Sequence, residues 1–539
     1  MSVLLVLACL LPGSVFPGRT WALSSTNIPL DSPVYFYLEK LASFGLISTD
    51  YKGIRPLSKA EATRLLLEAE QSLESHPELS GEGLIAPLVE ELHRFLTREI
   101  HLAQEPETAP NFAIKPLSSF RMRYVYLDGV PRSYERPVHD PGGDGVFGIG
   151  SGLRPDNPYP TLAQQHGTEG TPLFENNEGI RYRKGNNYEF RFSGEAYGGR
   201  NLSLLLEPAF LYSEEGTRTW GWLNKGYVKL GGGGLELEVG RDANWLGLGY
   251  RGNITLTNNA RNFDLIKLSS PEPLEFKYLW PLKYSLIFSR FDETATDGKV
   301  RQPYFFAAKL SFKPTDNVEF GINLGRQVGG TGVNNSVGDV LRGFVGGTDS
   351  DNSNSLAGLE LRLRFPFLRN AELYGEFSGE DAASFWPIVE SYVAGFYIPR
   401  LTASGRDDLR FEYFLGNSIL YTNGTFPEGY LYKGMPIGHS QGGASEEFFT
   451  RYSHWFSLRN RIALEYYHTE RGNLGRVAVS GTAQSVERKN SWRGYWTLPI
   501  AQSLDAGFMY GWERIHNLNL VGGVHQTNQL LNVDVRYMY

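Results

Sequence analysis

Residues 359–370 read LELRLRFPFLRN, and this stretch decides the fold. Leu359, Leu361, Leu363 and Phe365 alternate with Glu360, Arg362 and Arg364 before the tight turn Pro366-Phe367-Leu368-Arg369-Asn370. A period of two places apolar and charged side chains on opposite faces of a β-strand. YEFRF at 188–192 and LELEV at 235–239 repeat the pattern, with Glu189, Arg191, Glu236 and Glu238 as the polar members. A soluble sandwich turns the apolar face inward; an outer-membrane barrel turns it to lipid and keeps the charges in its lumen. Alternation alone does not separate the two, and the lengths of the connections do.

Period-2 runs fill the chain from about Lys115 onward, and eighteen strands are expected at 115–128, 187–197, 200–212, 219–230, 234–241, 251–258, 273–291, 303–313, 317–327, 355–365, 370–379, 391–400, 408–419, 447–457, 460–470, 490–499, 503–513 and 529–539. Even-numbered strands are followed by tight turns such as 231–234, 313–317, 366–370 and 457–460. Most odd-numbered strands are followed by long polar loops: 129–186, 328–354, 420–446, 471–489 and 514–528. Short turns at one rim and long loops at the other are a habit of transmembrane barrels. The last stretch, LLNVDVRYMY at 530–539, sets Val533, Val535, Tyr537 and Tyr539 against Asn532, Asp534 and Arg536 and resembles the terminal strand by which such barrels are recognised for assembly. The expected fold is mainly β: a transmembrane antiparallel barrel of about 18 strands over 115–539, with both chain ends in the periplasm.

The first hundred residues are different. MSVLLVLACLLPGSVF is too short an apolar run to span a bilayer as a helix and reads as a signal-peptide core, with cleavage expected after Ala22, although a basic leading segment is missing. A lipoprotein signal ending at Cys9 is the weaker reading, because too few residues precede the cysteine. From 28 to 104 the apolar spacing turns helical, and Ser58 with Glu61 forms a capping box before LSKAEATRLLLEAEQSL. GLIAPLVEELHRFLTREI at 83–100 continues the pattern, so a small helical bundle is expected ahead of the barrel.

Composition bounds the chemistry. The chain has 539 residues, 13% of them aromatic, with 61 glycines and a formal charge of -7, and it lacks the basic cluster that nucleic acid would require. Its 10 histidines are scattered and its one cysteine is Cys9, so neither a metal site nor a cofactor is expected. The acidic FDETATDG, around Asp292 and Asp297, reads as a solvated loop tip in preference to a calcium site. Gly438-His439-Ser440-Gln441-Gly442 matches G-x-S-x-G, but a nucleophile elbow needs a strand-to-helix turn, and here a Gly-rich loop leads into a strand-like run. No enzyme is expected. The loops do carry rings, Trp220, Trp222, Trp245, Trp386, Tyr421, Tyr430 and Tyr432, beside Asn, Asp and Arg, a mixture suited either to a membrane-interface girdle or to stacking on sugars.

GRDANWLGLGYRGNITLTNNARNFD, residues 240–264, is not a phosphate loop, since no G-x-x-x-x-G-K-[ST] occurs and no helix is expected after it. It resembles the G-R-x-x-x-W-x-G-P-G…L-x-x-N-N-A-R-x-F segment of the capsule assembly Wzi family, through Gly240, Arg241, Trp245, Gly247, Gly249, Leu256, Asn258, Asn259, Ala260, Arg261 and Phe263; Leu248 stands where the family has proline. A second stretch, YLYKGMPIGHSQGGASEEF, is similar to that family's Y-x-G-x-x-I-G-H-x-x-G at Tyr432, Gly434, Ile437, Gly438, His439 and Gly442. The resemblance implies an 18-stranded outer-membrane barrel with its helices at the periplasmic end and its long loops outside the cell. It also implies a surface lectin that attaches exported capsular or extracellular polysaccharide without covalent chemistry, its partners being polysaccharide and outer-membrane lipid and its state a monomer. The expected polysaccharide-binding or loop-anchoring residues are Arg241, Asp242, Trp245, Tyr250, Asn258, Asn259, Arg261, Tyr432 and His439. The rival class is a porin or substrate channel, which shares the polar interior.

Overall fold

The computed structural model describes residues 24–81, 83–105, 110–140, 161–216, 218–336, 338–339, 352–380, 387, 389–479 and 482–538. The expected signal peptide with Cys9, and Trp386, lie outside them. Among the described residues four α-helices precede the barrel: α1 Val34–Ser43, α2 Lys59–Ser75, α3 Ile85–Phe95 and α4 Thr97–Gln104. Ser58 caps α2, its hydroxyl accepting the Glu61 N–H at 3.1 Å. The Glu61 side chain does not return the bond as a capping box would; it is fully buried and pairs with Arg64 at 2.8 Å and, across to the barrel, with Lys283 at 3.2 Å.

The wall is a closed antiparallel barrel of eighteen strands. They are β1 Phe112–Asp128, β2 Gly185–Gly198, β3 Leu202–Ser213, β4 Arg218–Gly232, β5 Leu235–Asp242, β6 Phe263–Ser269, β7 Leu282–Arg290, β8 Lys299–Thr315 and β9 Val318–Thr331, then β10 Ser353–Phe365, β11 Ala371–Glu380, β12 Val389–Ile398, β13 Asp407–Gly416, β14 Ser445–Trp455, β15 Arg461–Arg471, β16 Glu487–Ala501, β17 Leu504–His516 and β18 His525–Met538. Neighbours in sequence pair throughout, and β1 closes on β18 with Arg123 opposite Asp534. Every connection after an odd-numbered strand leaves from one rim and nearly all the tight turns lie at the other.

The alternation takes the membrane sense. Leu361 is 45% exposed, whereas Glu360, Arg362 and Arg364 of the same strand are 2%, 3% and 6% exposed. Tyr188 and Phe190 face out on β2 while Glu189 and Arg191 are buried. Closure of the sheet pairs the backbone N–H and C=O groups between strands, and the outward apolar side chains present hydrocarbon to lipid. No helix among the described residues is long and apolar enough to cross a membrane.

Two expected strands are corrected. Residues 251–258 form no wall strand: Ile254 and Leu256 alternate because both bury in an apolar cluster inside the lumen. The wall strand lies later, at Phe263–Ser269, so the count of eighteen survives with one member moved. The expected run 273–291 is shorter, Leu282–Arg290, and the residues before it form a turn bridged between Leu274 and Leu282. The third helical run breaks at Leu96 into α3 and α4.

Candidate functional site

The lumen is filled from both rims. From the short-turn rim the helical unit packs its core on Trp455 and Leu458, and Lys40 reaches the Pro399 carbonyl at 2.8 Å and Asp408 at 2.9 Å. The segment between α1 and α2 then enters the barrel. Asp50 receives Arg362 at 2.9 Å and Arg364 at 2.6 Å, Lys52 pairs with Glu372 at 2.8 Å, and the Gly53 N–H donates to Glu319 at 3.0 Å. At its tip Ile54 and Arg55 pair antiparallel with Leu246 and Trp245. That partner belongs to residues 243–262, which descend from the long-loop rim, so the two fillings meet inside the barrel.

Wall carboxylates hold the descending loop by its backbone. Glu412 accepts the N–H groups of Tyr250 and Arg251 at 2.8 and 2.9 Å, and Glu376 accepts that of Ile254 at 2.9 Å. Arg251 pairs with Glu447 at 2.9 Å. Buried N–H groups in an irregular loop need acceptors, and carboxyl oxygens supply them. Nothing in the sequence separates Glu376 and Glu412 from any other inward wall residue.

The two family-like stretches interlock. Thr257 donates its N–H to the Ile437 carbonyl at 2.8 Å and its hydroxyl to that of Gly438 at 2.6 Å, and Asn259 Nδ2 reaches the Pro436 carbonyl at 3.0 Å. Tyr421 donates to the Ile254 carbonyl at 2.6 Å and accepts the His439 N–H at 2.8 Å. The His439 ring is fully buried and stacked on Phe414 with centroids 3.6 Å apart. Burial, with Arg251 nearby, holds its pKa well below the usual histidine value, so it stays neutral. Gly252 lies against that ring, where a Cβ would overlap the imidazole.

The nine expected site residues therefore separate. Trp245, Tyr250 and Asn258 line a mid-lumen cavity of about 410 Å3 shared with Phe36 and Glu178. Arg55 lies over the Trp245 ring at 4.8 Å and Arg410 over Tyr250 at 4.4 Å. Asn259 and His439 sit in the interlock. Asp242 faces inward and accepts Asn27 Nδ2 at 2.8 Å, tying down the chain ahead of the helices. Arg241 is on the outer wall, bidentate to Asp264 at 2.8 and 3.0 Å and away from the others. Arg261 covers Trp222 at 4.5 Å and Trp220 at 5.0 Å, and burial beside Arg191 and Arg181 lowers its pKa to about 10. Tyr432 belongs to a ring cluster with Phe263 and Phe291. Ser440 lies in a loop that runs directly into β14, without the helix a nucleophile elbow requires. Among the described residues no three His, Cys, Asp or Glu side chains are grouped to hold a metal.

The family model for capsule assembly protein Wzi matches residues 154–530. The chain belongs to the Wzi capsule assembly family. Among solved structures it is similar to Wzi of Escherichia coli, described as an outer membrane protein involved in group 1 capsule assembly and a carbohydrate-binding β-barrel. That likeness covers 96% of this chain and 99% of that one, at 15% identity and a TM-score of 0.66. It extends more weakly to two Pseudomonas aeruginosa proteins. OpdQ has 12% identity over 79% of this chain and 97% of that one, with a TM-score of 0.44. OpdL has 12% identity over 79% and 98%, with a TM-score of 0.40. No curated protein sequence matches. In this Wzi family chain, the two stretches that resemble the family's motifs contain the residues that lock the lumen loops to each other.

Proposed function

We propose that this protein sits in the outer membrane, binds exported capsular or extracellular polysaccharide through the loops of its long-loop rim, and so attaches the polymer to the cell surface. The family match over residues 154–530 carries the reading. The E. coli relative of the same fold, described as carbohydrate-binding, supports it. In this reading the long-loop rim faces outward and the helices face the periplasm, an orientation in keeping with the short turns, the start of β1 and the end of β18 sharing one rim. Attachment is non-covalent: each polymer repeat offers the same groups again, and many weak contacts on one chain give retention that a single contact does not.

The channel reading is disfavoured by the filled lumen, since Ile54 and Arg55 meet Trp245 and Leu246 across the bore. The test is a pair of measurements. Detergent-purified protein should retain the extracellular polysaccharide of the cells that make it, and deletion of the gene should move that polymer from the cells into the medium. Polymer still on the cells after deletion, with none in the medium, would refute the proposal.

A further inference from the structure

At the long-loop rim, apart from the mid-lumen cavity, the β7–β8 connection and the middle of the β13–β14 loop enclose a second cavity of about 180 Å3. Its back wall is aromatic: Phe291, Phe426 and Tyr432 are 3%, 2% and 5% exposed. Its lip is polar and carries Asp292, Glu293 and Glu428 together with Arg301 and Lys433. The cations are already engaged. Arg301 donates to the Thr425 and Val300 carbonyls, each at 2.9 Å, and Lys433 pairs with Asp292 at 3.0 Å. Glu428 is oriented by the Thr294 hydroxyl and the Gly434 N–H, and burial raises its pKa.

Asp292 also accepts the Tyr432 hydroxyl, and apolar ring surface beside a carboxylate-bearing lip matches one kind of ligand well. A pyranose offers an apolar C–H face and a ring of O–H donors, and carboxylate oxygens accept such donors with charge-assisted strength. An acidic sugar fits poorly, because three carboxylates outnumber two cations that already have partners. The cavity is small for a chain segment and suits a single ring.

We propose that this cavity is a binding subsite for one neutral hexose residue, with Asp292 and Glu428 accepting its hydroxyl hydrogens and the Phe426 and Tyr432 rings covering its C–H face. The assignment rests on the polysaccharide-binding reading above and gives it a sugar class and a place. Its test uses the detergent-purified full chain, with saturation-transfer NMR against galactose, glucose, mannose and glucuronate, and a parallel binding assay on the purified extracellular polysaccharide. The variants are D292N, E428Q and T294W, the last filling the mouth. At least one neutral hexose should bind, with glucuronate at least about tenfold weaker, and D292N and E428Q should each weaken that hexose about tenfold, the equivalent of one charge-assisted hydrogen bond. T294W should abolish binding. Asp292 is half in solvent, so D292N should unfold at the wild-type temperature and separate lost binding from lost folding. Glucuronate binding as tightly as the hexoses, no hexose signal at all, or undiminished hexose binding in T294W overturns the subsite. Wild-type protein that fails to bind the polymer defeats the broader function, whereas polymer binding that persists in wild type and all three variants removes only the subsite.

Discussion

Replacing Asp50 by Asn tests whether the helical segment is locked into the barrel by charge. Asp50 is 7% exposed and receives Arg362 at 2.9 Å, Arg364 at 2.6 Å and Lys313 at 3.4 Å. The variant keeps the shape and removes the charge, leaving three buried cations short of one carboxylate. Breaking a buried pair in this way costs about 3–5 kcal/mol. Here Arg362 retains Glu319 at 3.1 Å and Glu372 at 3.2 Å, and Arg364 retains the Ile47 carbonyl at 3.0 Å, which puts the expectation at the lower end, about 3 kcal/mol. That corresponds to a roughly hundredfold larger population with residues 44–58 undocked.

Hydrogen exchange of residues 44–58 in the folded, detergent-solubilised barrel reads this opening directly. Burial alone would raise the Asp50 pKa, but Arg362, Arg364, Lys313 and Lys52 outweigh it and hold the carboxyl well below the usual range. A depressed folded-state value means that the stabilisation is present above the unfolded aspartate pKa of about 3.9 and is lost as pH falls through the folded one. Wild-type protection should therefore be flat from neutrality down to about pH 5, with D50N exchanging faster across the whole window. Exchange in D50N within twofold of wild type would refute the charge lock, and so would a wild-type loss of protection that begins near neutral pH.

Three further outcomes follow from the same structure. In planar bilayers the intact protein should give no large steady open-state current, because the lumen is crossed by two interlocked segments; sustained porin-sized currents would show that they leave it. R241A should change stability by less than about 1 kcal/mol and leave polysaccharide retention unchanged, since Arg241 pairs on the outer wall with an Asp264 that is 73% exposed; a loss of retention in cells would place sugar contact there after all. G252A should cost about 1–3 kcal/mol through overlap with a His439 ring that Phe414 prevents from moving, measured as faster proteolysis within 247–262; unchanged proteolysis would show that the stack yields.

The wall was legible because lipid on one side and protein on the other impose a period of two, and that period survives in any single strand. It misled where another environment imposes the same period. Ile254 and Leu256 alternate with Thr255 and Thr257 because the apolar pair buries in the lumen cluster while Thr257 bonds to the facing loop, so residues 251–258 imitate a wall strand. The real strand at 263–269 follows immediately, in the gap between the expected strands 251–258 and 273–291. Ser58 was legible as a cap because its bond is local, three residues away. Asp50, Glu376 and Glu412 were not, because their roles are set by partners that only the closed barrel brings near. Asp292 reads as an acidic loop tip, but nothing local announces that Glu428 and Tyr432 complete a cavity with it.

The pairing of the inward charges bears on what the barrel is for. A water-filled pore can leave lumen charges solvated, and an excess of one sign at a constriction is what selects its solute. Here Lys267 meets Glu238 at 2.9 Å, Lys309 meets Glu360, and Lys59 of α2 meets Glu195 at 2.8 Å, all buried. Charges taken out of water must be matched or they destabilise the fold, so a lumen packed with protein demands pairs where an open one would not. Several of these pairs join wall to filling, as Lys59–Glu195, Arg362–Asp50 and Lys283–Glu61 do. The same polar interior that would suit a channel is therefore used as adhesive, and in the proposed function the surface that meets the polymer is the long-loop rim, where the aromatic and carboxylate cavity lies.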